Sequence, residues 1–405
     1  MFYDRGGRHY YFSKYLIEKG YSPTVFCAST VHNSSKDTEI KDCKYKQDVV
    51  DGIPFVFVKT PQYKGNGLAR IKNILMYSWR IRRVAKKIAI SSKPDVILAS
   101  SPHPFACYAA IRTAKKLGTP CIVEIRDPWP ESIVAYGVSS KNNIIIRLLY
   151  YLEKWIYKKA DSLIFTMEGG ADYIREKGWD NVIDLNKIHY INNGVDLIDF
   201  DSNVKNTRYV DPDITDKTVF KVVYTGSIRL VNDMKTIVDA AAIVQKKTEA
   251  KIRFLFYGNG DQVESLQEYV VDNAIKNVVF KGKVDKISIP GILADANICL
   301  MHANQTSIIR FGYSLNKLFE YFAAGKPILS TLVCNFDLIG KYCCGLVVEN
   351  QLPETIANAV LQMASLQEDE YDRYCENARR AASDYDFCVL TKRLTVIIED
   401  LTRSK

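Results

Sequence analysis

The chain runs twice through one rhythm, a short β-rich run followed by a helical stretch, and no other feature narrows its fold so far. "TVFCAS" (24–29), "FVFVKT" (55–60), "DVILAS" (95–100), "CIVEIRD" (121–127), "SLIFTM" (162–167) and "IHYINN" (188–193) read as strands, and helical periodicity separates most of them. Near-continuous apolar strands alternating with helices belong to a parallel sheet covered on both faces. From Asp201 to Asp216 the chain turns polar, rich in Asp, Asn and Lys, and reads as a linker. The rhythm then restarts with "FKVVYTG" (220–226), "KIRFLFYG" (251–258), "NVVFKG" (277–282), "ANICLMHA" (296–303), "PILST" (327–331) and "GLVVE" (345–349). Two doubly wound, Rossmann-like α/β domains are therefore expected, residues 1–200 and 201–384. A last helix, about Phe387 to Leu401, is long enough to cross back, so 385–405 is assigned to the first domain.

The start is irregular. A doubly wound domain should open with a strand, but "MFYDRGGRHYYFSKYLIEKGY" goes almost at once to a loop and helix. Either the first strand is absent from this chain or Met1 is not the natural start, and a missing strand would leave a central slot in the sheet unfilled.

Composition excludes several classes. No run of 18 apolar residues occurs, so no membrane-spanning helix is expected. Nor does a basic start lead into an apolar signal region. The ten cysteines show no CxxC or paired zinc spacing and read as reduced thiols of a cytosolic protein. The five histidines are scattered, with no HExxH.

The net charge of +9 matters for where it sits. Lys and Arg concentrate in "RIKNILMYSWRIRRVAKKIAISSK" (70–93), punctuated at helical spacing by Ile71, Ile74, Leu75, Ile81 and Ile88. "NNIIIRLLYYLEKWIYKK" (142–159) repeats the mixture of aromatic, aliphatic and basic residues. Such helices either lie against an anionic lipid surface or cover a sheet with a solvated basic side. No nucleic-acid-binding motif accompanies the charge, and no nucleic-acid partner is expected.

Ligands of open α/β sheets bind beyond the carboxyl ends of the strands. The stretches that follow proposed strands there include "TGSIR" (225–229), "YGNGD" (257–261), "HANQTSIIRFG" (302–312) and "IRDPWPES" (125–132), while "RGGR" (5–8) precedes the opening helix. If the two domains oppose each other, both rims face a common cleft. Gly-x-Gly at Gly258 is either a structural turn or a place where backbone meets ligand. Arg229, Arg310 and Lys317 are candidate phosphate binders, against the alternative of surface ion pairs. In "RDPWPES" two prolines fix an extended loop from which Arg126, Asp127 and Glu131 project; Asp127 either serves a ligand or caps a helix. His103 reads as a satisfied loop histidine. In "SLNKLFEYFAAGKPIL" (314–329), Leu315, Leu318, Phe319 and Phe322 share one helical face and Asn316, Lys317 and Glu320 the other.

Taken together, "NNGVD" (192–196), "YTGSIR", "YGNGD" and "SLNKLFEYFAAGKP" resemble the GT-B glycosyltransferases, most closely the retaining family-four enzymes of bacterial surface polysaccharides. Within these, "VEIRDPWPES" and "RFGYSLNKLFEYFAAGKP" resemble the branch that transfers N-acetylated amino sugars, such as fucosamine transferases of O-antigen and capsule synthesis. The resemblance implies that Glu320 takes both ribose hydroxyls of a nucleotide donor, most simply a UDP-sugar. It puts Asn316, Lys317 and the Leu318 backbone at diphosphate and sugar, Arg126 and Asp127 at the donor sugar, and Gly6 and Gly7 in the first loop. The turn opening at Gly226 becomes the second-domain phosphate loop. It further implies a polyprenyl-diphosphate-linked saccharide acceptor and peripheral attachment to the cytoplasmic membrane surface. No trusted DxD site is present, so no metal is expected.

Three positions depart from the family pattern. Gly312 stands where many relatives have Glu, and Ser227 and Asn232 stand where Arg and Lys are common. Two alternatives therefore stay open, a UDP-sugar epimerase of the same architecture and a non-catalytic nucleotide-sugar-binding subunit.

Overall fold

A computed structural model of the chain describes residues 2–31, 37–63, 65, 67–101, 103–207 and 209–403. Met1, on which the expectation about the natural start bears, lies outside them. The chain divides into one unit of the residues up to Asn192 plus Phe387 onward, and a second of Asn193–Asp386. The boundary thus falls eight residues before the expected 200/201, and the return crossing two residues after the expected 384/385.

The polar stretch expected as a linker is structured. Asp196 caps the helix Leu197–Asn206, accepting from the Asp199 N–H at 2.8 Å, and Asp211 caps the short helix Pro212–Thr215. Asp211 also pairs with Lys281 at 2.7 Å. Its polar residues are caps and ion-pair partners, which is why composition imitates a linker there.

In the first unit, β1 (Val25–Ala28), β2 (Tyr45–Val50) and β3 (Ile53–Val58) form one sheet in the order β1-β3-β2. β2 and β3 are an antiparallel hairpin closed by Asp51-Gly52, both at positive φ as a tight two-residue turn requires. β4 (Ile97–Ser100), β5 (Cys121–Ile125), β6 (Ser162–Phe165) and β7 (Ile188–Tyr190) form a second, wholly parallel sheet in chain order. Among the described residues no strand joins β1 to β4, so this unit holds two sheets where alternation alone predicts one. The helices that matter below are α1 (Arg8–Glu18), α2 (Leu68–Ala89), α3 (Pro104–Leu117), α4 (Glu131–Ala135) and α5 (Ile144–Lys159). The C-terminal helix Phe387–Arg403 packs on α1, with Phe387 stacked on Tyr11 at 5.0 Å and Tyr21 donating to Glu399 at 2.9 Å.

The second unit is one six-stranded parallel sheet: β8 (Phe220–Thr225), β9 (Ile252–Tyr257), β10 (Val278–Gly282), β11 (Ile298–Met301), β12 (Ile328–Ser330) and β13 (Gly345–Val347). Its order, β10-β9-β8-β11-β12-β13, reverses direction between β8 and β11. That reversal is the topological switch point where doubly wound sheets bind ligands, because the connections leave the sheet on opposite faces there. The strands are buried on both sides, with Val222, Val223, Phe254, Leu255, Cys299 and Leu300 fully shielded. No described helix is long and apolar enough to cross a membrane.

Candidate functional site

The helix Asn316–Ala324 follows the switch point. It buries Leu318, Phe319, Tyr321 and Phe322, each aromatic contributing about 1.5–3 kcal/mol of apolar burial, and it ends at Gly325 in the left-handed conformation. Tyr321 fixes its position. The hydroxyl accepts from the Thr225 N–H at 3.0 Å and donates to the Leu300 carbonyl at 3.3 Å, tying the helix to the ends of both β8 and β11.

On the other side of this helix Lys317 and Glu320 are half-buried, one turn apart, and Asn316 is exposed. None of these three side chains makes a hydrogen bond or a close ion pair among the described residues. The Lys317 ammonium lies 3.9 Å from the centre of the Tyr224 ring. Desolvation, only partly offset by Glu320, pushes its pKa down to about 7. Glu320 is shifted upward by the same loss of water, against the pull of Lys286 and Lys317. Two ionisable groups held in partly dry surroundings with neither side chain in a hydrogen bond or close ion pair among the described residues are suited to an external ligand. The Leu318 N–H, by contrast, already donates to the Leu315 carbonyl at 3.1 Å.

Glycine shapes the floor. A Cβ on Gly226 would lie 3.1 Å from Lys317 Nζ and 3.1 Å from the Tyr224 hydroxyl, so the bare backbone leaves room for the lysine. The Tyr224 hydroxyl donates to the Ser227 carbonyl at 2.9 Å and holds the turn. Gly258 instead permits close backbone packing. A Cβ there would come within 1.7 Å of the Gly226 carbonyl oxygen, and one on Gly260 within 2.0 Å of the Ile228 oxygen. The two turns pack backbone on backbone, joined by Ile228 N–H to Asn259 O at 3.0 Å and Gln262 N–H to Ile228 O at 3.2 Å.

The departures from the family pattern acquire a physical form. Ser227 donates to the Asn232 side-chain oxygen at 3.0 Å, so these two positions form a closed neutral pair. Gly312 has φ 94°, a backbone state that an acidic residue adopts only with strain. Arg229 is exposed; its carbonyl accepts from the Asn232 N–H at 2.8 Å, while its guanidinium makes no hydrogen bond or ion pair among the described residues. Arg310 donates to the Ser307 carbonyl and covers the Phe311 ring at 4.6 Å.

In the first unit, Gly6 and Gly7 lead into α1, with Gly7 at φ 95° as its N-cap. Beyond β5, Arg126 is half-buried and its guanidinium makes no hydrogen bond or ion pair among the described residues. Asp127 stays at the surface and caps nothing, since Pro130 occupies the N-cap of α4. Glu131, expected to project, turns inward instead: Lys177 and the Tyr150 hydroxyl engage it, and Lys141 lies at 3.6 Å. His103 caps α3, its Nδ1 accepting from the Ala106 N–H at 3.2 Å, and burial pushes it down to about 4.

Sequence reasoning missed the polar heart of this unit. Glu124 on β5 is fully buried and takes Arg8 Nε at 2.7 Å, His9 Nε2 at 3.0 Å and the Ser100 hydroxyl at 2.8 Å. Arg8 also donates to the Ile191 carbonyl at 2.8 Å and to that of Asn192. Burial alone would raise the Glu124 pKa, but Arg8 and His9 more than reverse it and hold the carboxyl far below its ordinary value. The available signal was a glutamate inside an otherwise apolar strand, which has to find partners.

The fold is that of GT-B proteins. The first half matches the model described as Glycosyltransferase Family 4 over residues 9–198, and the second half the Glycosyl transferases group 1 model over residues 219–365. By fold and by both domain models, the chain belongs with the GT-B glycosyltransferases. It is similar to the "Probable glycosyltransferase WbjE" of Pseudomonas aeruginosa, 24% identical over 272 residues, an alignment spanning 66% of this chain and 63% of that protein. Among solved structures, Anabaena HepE in complex with UDP superposes with a TM-score of 0.63 at 13% identity, over 86% of this chain and 87% of that one. WaaG, a glycosyltransferase involved in lipopolysaccharide biosynthesis, gives 0.64 at 13% identity over 96% and 95%.

Proposed function

We propose that this protein is a retaining glycosyltransferase that moves a sugar from a UDP-linked donor to a lipid-linked saccharide in surface polysaccharide synthesis. The donor sugar is taken to be an N-acetylated amino sugar, and the acceptor a polyprenyl-diphosphate-linked chain presented at the cytoplasmic membrane surface. The observation that carries the reading is the half-buried, ionisable pair Lys317 and Glu320 at the switch point, neither side chain in a hydrogen bond or close ion pair among the described residues. The UDP held by the Anabaena neighbour supports the donor class, and the lipopolysaccharide role of WaaG supports the pathway class.

In this reaction the bond from the anomeric carbon to the leaving diphosphate breaks. The acceptor oxygen bonds to that carbon on the same face, and its proton passes to the departing phosphate oxygen. Glu320 accepts from the ribose hydroxyls, while Lys317 meets the negative charge that grows on the diphosphate. No metal ion is required by the proposal, and turnover unaffected by a chelator is the expected behaviour.

Glu320→Ala tests the assignment. Losing charge-assisted hydrogen bonds worth about 1.5–3 kcal/mol each should weaken UDP-sugar binding by at least tenfold in calorimetry, with the thermal midpoint nearly unchanged. Unaltered affinity would refute the role of Glu320. Incubation with UDP-sugars and membrane lipid extract separates the reactions: sugar on lipid supports transfer, an altered free sugar indicates an epimerase, and binding without turnover a non-catalytic subunit.

A further inference from the structure

Two helices of the first unit are apolar on both sides. α2 packs Tyr77, Ile81, Val84 and Ile88 against Val56 and Val58. At about 100° per residue, Leu68, Ile71, Leu75 and Trp79 fall on the opposite side of the same helix. They are in the open, with Leu68 83% and Trp79 49% exposed, and they line a shallow groove with Lys72 and Met76. α5 repeats the arrangement: Ile146, Ile156 and Tyr157 are buried, while Ile144, Leu148 and Tyr151 point away, Leu148 at 62% and Tyr151 at 68% exposure. An amphipathic helix needs one apolar stripe to hold its sheet, and a second, outward stripe on each of two helices has no use in the fold.

The charge around these stripes has one sign. α2 carries seven Lys or Arg and no acid, α3 three and none, and α5 four with a single acid, Glu153. Glu153 is buried under the hydroxyls of Tyr157 and Tyr173, and desolvation pushes its carboxyl up to about 8. The layer therefore shows no negative group of its own to water. α3 packs between the other two helices, with Tyr108 against Trp155 at 5.1 Å, so the stripes belong to one layer. On α2 the cations prolong the apolar stripe: Arg83 stacks on Trp79 at 3.8 Å, and Lys86 is crowded by Lys116 of α3, which lowers its pKa. Apolar side chains, Trp and Tyr set among cations match the headgroup region of an anionic bilayer. A nucleic acid would use the charge and leave the aliphatic residues in water, and a second copy of this layer would bring like charges together.

We propose that the outward stripes of α2 and α5, with the Lys and Arg beside them, form the docking face of this protein for an anionic lipid surface. The proposal rests on the reading above, in which the acceptor is presented at a membrane, and identifies the face that meets that membrane. Leu75 and Trp79 enter the acyl boundary of the bilayer, and so do Leu148 and Tyr151. Arg83 and Lys86 stay among the lipid phosphates, as do Arg147 and Lys158.

The test is sedimentation of the full chain with phosphatidylcholine vesicles with or without phosphatidylglycerol. Partition onto the anionic vesicles should exceed that onto the neutral ones at least tenfold and fall with salt, since each cation near the surface is worth roughly fivefold. Arg83→Glu with Lys86→Glu should cost tenfold or more. Leu75→Ser, Trp79→Ser, Leu148→Ser and Tyr151→Ser together should abolish the binding that survives salt. All are surface positions, so an unchanged thermal midpoint certifies the fold. Equal partition onto both vesicles, or variants that bind like the parent, overturns the proposal. So does self-association that the serine variants abolish, or retention by a DNA or RNA oligonucleotide without vesicle binding. UDP-sugar calorimetry on the same samples keeps the two readings apart. UDP-sugar binding without vesicle binding sinks the docking face alone, and vesicle binding without UDP-sugar binding sinks the transferase reading alone.

Discussion

Under the proposed assignment Lys317 makes the donor site sensitive to pH, and the size of the effect follows from its surroundings. Sunk over the Tyr224 ring, with Glu320 too distant to compensate fully, its ammonium loses its proton at about 7 in the free protein. A diphosphate placed against it restores the charged form, so binding draws in a proton. At pH 7 roughly half of the molecules already carry that proton, and about half a proton should be taken up per donor bound. At about pH 8.5 only about 3% carry it, so affinity should fall about 16-fold, or about 1.6 kcal/mol. On the acid side the sign reverses. In the proposed reaction Glu320 accepts ribose hydroxyls as a carboxylate, and its raised pKa makes binding weaken as protonation proceeds, which gives a bell-shaped profile. Calorimetry with a UDP-sugar, whose diphosphate has no proton to lose near neutrality, in buffers of different ionisation heat reads affinity and proton uptake together. Lys317→Met should erase the alkaline limb and the uptake. A flat affinity between pH 7 and 8.5, or uptake that persists in Lys317→Met, refutes the reasoning.

Three further substitutions test other parts of the fold. Gly226→Ala, strained by its φ of 151° but meeting only side-chain tips, should displace Lys317 and reduce donor affinity at a stability cost of about 1–2 kcal/mol, whereas Gly258→Ala also drives a Cβ into the Gly226 carbonyl and should destabilise the unit by on the order of 3 kcal/mol or more; equal effects on binding and thermal midpoint would contradict this division. Glu124→Gln strips the buried charge opposite Arg8 and should cost about 3–5 kcal/mol in denaturant unfolding. Because the folded Glu124 pKa is depressed, its stabilisation is present above the ordinary carboxylate range and lost as pH falls below it, so the parent should lose stability in acid more steeply than Glu124→Gln.

Legibility in the sequence tracked burial. All twelve runs expected as strands contain strands, because parallel strands covered on both faces are nearly continuous apolar words. The strand that was missed, Tyr45–Val50, is the antiparallel edge "YKQDVV", mostly open to water and therefore polar, although the Asp51-Gly52 turn beside it announced a hairpin. The helix at 316–324 was readable because its apolar face obeys helical spacing, but Tyr321 was not, since its value lies in two hydrogen bonds to strands far away in the chain. Likewise Asp127 and Glu131 lie four residues apart, before and at the start of α4, with the same formal charge. Only packing tells that one is held inward by Lys177 and Tyr150 while the other stays at the surface.

A neutral pair at Ser227 and Asn232 changes how such a site works rather than merely weakening it. Several exposed cations on a phosphate loop attract substrate and leaving group alike, and water screens them. Here that pair is neutral and bonded to itself, and Gly312 holds a backbone that disfavours an acid. Among the groups of this unit assigned to the donor, the one half-buried cation without a hydrogen bond is Lys317, set against an aromatic ring, where a unit of charge interacts more strongly than at the surface. Its depressed pKa measures how poorly the free site solvates that charge. Under the proposed reaction the diphosphate gains negative charge as the anomeric bond breaks. An unmet ammonium therefore gains more from the transition state than from the bound donor, and this difference, not donor affinity, raises the rate.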